Sequence, residues 1–126
     1  MASTIGLHLQ YRLWIAELNA DISALRILND CLAGISLKDN TSDVADLIKD
    51  YNERFVVLRS QIDDLRHQMH INKMELAVVL RKPRRFLKNS ETDIKHAELK
   101  NQYQLFRKTF DNTKKDLQKF ADKFTN

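Results

Sequence analysis

Residues 44–79 read VADLIKDYNERFVVLRSQIDDLRHQMHINKMELAVV, and their apolar positions step by four and three: Val44, Ile48, Tyr51, Phe55, Leu58, Ile62, Leu65 and Met69. Asn72 interrupts the row, and Leu76 and Val79 resume it. A row with this spacing lies along one side of an α-helix, and kept up for five heptads it forms a coiled-coil-like seam. The spacing predicts a helix of about 37 residues and about 55 Å. Thr41, Ser42 or Asp43 is expected to cap its start, where Asp43 and Asp46 suit the positive end of the helix dipole. Pro83 is expected to end it, because proline lacks an N–H and its ring clashes with the preceding turn.

Two further seams flank this one. Before it, Tyr11, Leu18, Leu25 and Leu32 recur every seven residues, with Trp14, Ile15, Ile22 and Leu28 between them, and Gly34 is expected to stop the helix in a left-handed turn. The stretch ISLKDNTS then reads as a connection. After it, Leu99, Tyr103, Phe106, Phe110, Thr113, Leu117, Phe120 and Phe124 repeat the four-three step, behind an acidic first turn at Ser90, Glu91 and Asp93. The expected helices span about residues 7–33, 43–81 and 90–124, within a single domain of residues 1–126. Three seams joined by short loops predict an all-α, up-down-up antiparallel three-helix bundle, open to dimerisation into a larger one. The first helix is expected to be about a third shorter than its neighbours, so that the tip of the long hairpin projects beyond it or is covered by something else.

Composition agrees with this class. The 126 residues include two glycines and one proline, too few for the turns of a β-rich fold. One cysteine excludes an internal disulfide and points to a reducing, cytoplasmic setting. No apolar run approaches the length of a membrane span. The net charge of +4 is uneven, since residues 81–126 carry thirteen basic and six acidic groups.

The first helix has a second face. Leu9, Leu13, Ala16, Ala20, Ala24, Ile27 and Cys31 cluster opposite Tyr11, Leu18 and Leu25, with Glu17 and Asp21 on one flank and Arg12, Asn19 and Arg26 on the other. A corner helix of a three-helix monomer needs one apolar stripe, whereas two imply a further helix packed on the outside. The stripe is therefore expected to bind a second copy of the chain or another helical protein, with Leu9, Leu13, Ala16, Ala20, Ala24 and Ile27 as contacts. The competing explanation is that alanine is simply a good helix former on an exposed surface.

The segment LRKPRRFLK at residues 80–88 concentrates Arg81, Lys82, Arg84, Arg85 and Lys88. These cations, with Lys108, Lys115, Lys119 and Lys123 of the third helix, form a possible anion-binding surface for nucleic acid or another polyanion. Two considerations weigh against it. Cations complement the C-terminal dipole of the second helix, and Asp111, Asp116 and Asp122 interleave the lysines as neighbouring ion pairs do.

No catalytic constellation emerges. Cys31 has no histidine near it in sequence, and with two glycines the chain has no phosphate-binding loop. The pairs Asp64/His67 and Asp93/His96 resemble the spacing in di-iron bundles, but they fall about 20 Å apart along a hairpin turning near residue 85. Asp63, His67 and His70 share an outer face and read as solvated surface residues, and His96 reads as a structural core-edge histidine. Asn72 and Thr113 are expected near a loop or solvent. No cofactor and no metal are expected, and the chain is expected not to be an enzyme.

Overall fold

The computed structural model describes residues 3–81 and 90–124. Three helices follow one another: α1 over Thr4–Lys38, α2 over Ser42–Arg81 and α3 over Ser90–Asp122. The register is antiparallel at each hairpin. Asn19 and Tyr11 of α1 face Arg66 and Asn72 of α2, and Arg54 and Tyr51 of α2 face Asp116 and Phe120 of α3. Helices α1 and α3 run parallel with a near-constant offset: Tyr11 meets His96, Glu17 meets Tyr103, Asp21 meets Arg107 and Lys38 meets Phe124. An up-down-up bundle produces this arrangement.

The four-three rows become the core. Tyr11, Leu18, Leu25 and Leu32 are buried together with Val44, Tyr51, Phe55, Leu58, Ile62, Leu65, Met69 and Leu76, and with Leu99, Tyr103, Phe106, Phe110, Leu117 and Phe120. Leu18, Ile62, Met69 and Phe110 are wholly inaccessible. The backbones of α1 and α2 approach each other closely over much of their length, and α3 stands farther off. Bulky side chains widen the distance between helix axes. The rings of Tyr103, Phe106, Phe110 and Phe120 on the inner side of α3 account for its separation. Phe106 stacks on Phe110, and Phe120 stacks on Tyr51.

Helix α1 is longer than expected at both ends. Its start is set by Ser3, whose extended backbone (φ −71°, ψ 157°) and Oγ accept the helix in the usual N-cap manner, taking a bond from the Gly6 N–H at 2.9 Å. At the other end Gly34 does not terminate the helix, and no described residue has a positive φ. The reason is Ile35, which continues the Leu28–Leu32 row and is buried. Burying an isoleucine is worth about 1.5–3 kcal/mol, more than the roughly 1 kcal/mol that a helical glycine costs. With 35 residues against 40 and 33, α1 is not the short member of the bundle. Leu7 lines the same small cavity as Leu76 and Val79, so the start of α1 reaches the last turns of α2.

The connection shrinks to Asp39, Asn40 and Thr41. The Asp39 N–H donates to the Ile35 carbonyl at 2.9 Å, and the Asp39 carboxylate accepts from the Thr41 N–H at 3.0 Å. This side-chain turn does the work that a left-handed glycine would otherwise do. Hydrogen bonds from the Thr41 backbone and side chain hold the Asp39 carboxyl below its usual pKa. The Thr41 carbonyl accepts the first bond of α2, from Ala45. The end of α3 tightens, with Lys123 and Phe124 donating three residues back to Phe120 and Ala121. The tail of the expected third helix, residues 123 and 124, is thus a turn.

Two seam positions differ from expectation. Thr113 is buried at 4 % exposure within the α3 seam. Val79 lies at the thin end of the bundle and is exposed. Pro83 lies outside the described residues.

Candidate interaction surfaces

The two stripes of α1 separate as the wheel predicts. Tyr11, Leu18, Leu25 and Leu32 point inward, and most of the opposite side is exposed. On it Leu9, Leu13 and Ile27 are 52, 56 and 67 % exposed, and Ala16 and Ala20 are exposed as well. Ala24 and Cys31 are half-buried, packed against the core from the α3 side. The stripe runs about 33 Å from Leu9 to Cys31.

Its two flanks are unlike. On the α3 side Glu17 and Asp21 bond across the bundle. The Tyr103 hydroxyl donates to Glu17. Arg107 donates to both oxygens of Asp21, at 3.1 and 2.6 Å, and to the Tyr103 hydroxyl at 3.0 Å. Asp21 is 7 % exposed, so this is a largely dry, two-pronged ion pair. Asp21 raises the Arg107 pKa further, keeping the guanidinium charged; burial and the bond to Glu17 push the Tyr103 phenol up. Nearer the hairpin tip, Asn72 donates to the Tyr11 hydroxyl at 3.3 Å, and that hydroxyl lies 2.9 Å from Nδ1 of His96. His96 stacks on Trp14 at an interplanar angle of 4°. Burial foremost, and then Lys100, lowers its pKa, while Asp93 opposes the shift. His96 is therefore a bonded core-edge residue, and Asn72 is half-buried, bonding the buried Tyr11 while lining cavities near the end of α2. The sequence reading missed this ladder. Its signal was a matched spacing of four, Glu17/Asp21 on one helix and Tyr103/Arg107 on the other.

On the α2 side Asn19 accepts from Arg66 at 2.7 Å, and Arg66 also reaches Asp63. Arg12 and Asp30 are both exposed and join none of the described salt bridges.

The basic surface divides in two. Arg81 is exposed at the last residue of α2. Lys82, Arg84, Arg85 and Lys88 lie outside the described residues. On α3 Asp111 forms neighbouring ion pairs with Arg107 and Lys114, whereas Asp116 reaches across to Arg54 of α2. Lys108, Lys115, Lys119 and Lys123 remain exposed along one side of α3.

Asp64 lines an open groove between α2 and α3 with Gln61, Gln68, Gln102 and Thr109, whereas His96 packs against Tyr11 and Trp14 nearer the tip. The two carboxylate–histidine pairs are therefore not brought together, and among the described residues no three His, Cys, Asp or Glu side chains are placed to hold a metal. No described helix is long and apolar enough to cross a membrane. No protein-family model, curated protein or solved structure matches this chain.

Proposed function

We propose that the protein is a non-enzymatic interaction module that packs the outer face of α1 against another helix, of a second copy or of a helical partner. The observation that supports this is the exposure of Leu9, Leu13 and Ile27 on a helix whose opposite stripe already fills the core. Propensity explains alanines on a solvated face, but not three large aliphatic side chains at helical spacing among them. The small residues between them let a second backbone approach closely, and burying the larger ones would supply about 1.5–3 kcal/mol each. Static light scattering tests the reading. The wild-type chain should exceed the mass of one chain, and Ala16→Glu and Ala20→Glu, both at exposed positions, should return it to one chain while the circular dichroism stays helical. An unchanged mass in both variants would contradict it.

A second reading, binding to nucleic acid or another polyanion, draws on the exposed row Lys108, Lys115, Lys119 and Lys123. Exposed lysines give salt-sensitive phosphate contacts without base reading. Retention on heparin and duplex DNA across a salt series tests it. Charge reversal at Lys115 and Lys119 should shift elution to lower salt, and an unmoved elution would remove α3 from consideration.

A further inference from the structure

We infer that the occupant of α1's outer face is a second copy of this chain, laid antiparallel with Ala20 on the two-fold axis. The inference rests on the docking reading above and adds to it a partner and a geometry. Around Ala20 the face repeats itself in reverse: the exposed Leu13 and Ile27 stand seven residues away on either side, the exposed Ala16 and half-buried Ala24 four, and the exposed Leu9 and half-buried Cys31 eleven. A two-fold through Ala20 therefore sets Leu13 against Ile27 and Ala16 against Ala24, with alanine against itself at the centre. An isologous contact needs a surface that is its own complement in this way. The chain's two glycines, Gly6 and Gly34, also lie at equal distances from Ala20, and a Cβ added at Gly34 would meet nothing within 4 Å.

Charge decides the direction. Arg12 and Asp30 are eighteen residues apart, which is about five turns, so they stand on the same edge of the stripe. In an antiparallel pair a given edge meets its own copy. Arg12 of each chain then comes within about 3 Å, measured along the axis, of the level of Asp30 of the other. Two opposite-charge contacts form, from residues that join no ion pair among the described residues of the single chain. A parallel pair would instead set the Arg12 edge against that of Glu17 and Asp21, which are already bonded to Tyr103 and Arg107.

The test is sedimentation equilibrium on the full chain, with circular dichroism to confirm that each variant is helical. Arg12→Glu and Asp30→Arg should each weaken dimerisation about tenfold, and the double variant should restore it. In a Cys31→Ser background, a short bis-maleimide should join Leu13→Cys chains to Ile27→Cys chains and leave Leu13→Cys chains unlinked to each other. If Ala20→Glu abolishes dimerisation but the double charge reversal fails to restore it, or if Leu13→Cys links to itself, the antiparallel geometry is overturned and docking on α1 survives. A one-chain mass at every concentration, or a dimer indifferent to Ala20→Glu, overturns both.

Discussion

Asp21 and Arg107 show how much a single polar contact can weigh in a bundle otherwise held by apolar rows. The carboxylate is 7 % exposed and accepts two bonds from the guanidinium. Arg107→Leu leaves that carboxylate without its cation. Because Arg107 itself still reaches solvent, the loss belongs at the low end for broken buried pairs, about 3 kcal/mol. Adding Asp21→Leu should recover most of it, since an apolar pair of similar volume replaces a buried ion pair at little cost. Urea denaturation of the two single variants and the double variant measures the coupling. His96 makes a second prediction. Its pKa is lowered in the folded chain, so the unfolded chain takes up the proton first as the pH drops. Stability should be fully present above pH ~6.5 and should decline below it, toward the lowered folded pKa. In a pH series of melting temperatures His96→Gln should flatten the part of the slope that begins there. These contacts were the least legible part of the chain, because Glu17 and Asp21 fall on a flank, where a carboxylate ordinarily stays solvated. Only the parallel run of α1 beside α3 turns that flank inward.

At the scale of helices, the four-three rows foretold which side of each element would be buried, because burial follows spacing. Element ends obey local competitions instead. Gly34 reads as a stop until Ile35 is seen to carry the buried row one step further, and Ser3 reads as an ordinary serine until its Oγ is found accepting from Gly6. Since Gly34 is helical and a Cβ there meets nothing, Gly34→Ala should stabilise the chain by about 1 kcal/mol. Thermal melts in dilute solution should show a raised midpoint; a lowered one would mean the position is not helical. The aromatic inner side of α3, which sets its distance from α1, predicts a larger penalty: Phe110→Ala should cost about 3–5 kcal/mol, because the neighbouring helices cannot close the gap left by a fully buried ring.

For the whole molecule, three seams suffice to specify the up-down-up bundle, but they leave Leu9, Leu13 and Ile27 exposed on the outer side of α1. The outer stripe of α1 was visible in the sequence because helical spacing separates two apolar rows on a single helix. The self-complementarity proposed about Ala20 was not, because the pairing of Arg12 with Asp30 has meaning only once both are known to be exposed and outside the ion pairs among the described residues. The α3 lysines were legible as a run, whereas the reach of Asp116 across to Arg54 required the packed neighbours. The central claim is that α1 is a helix with two apolar faces, of which the bundle covers one. Light scattering of the wild-type chain beside Ala20→Glu tests it most directly. The account predicts twice the mass of one chain for the wild type and one chain for the helical variant, and equal masses for the two would contradict it.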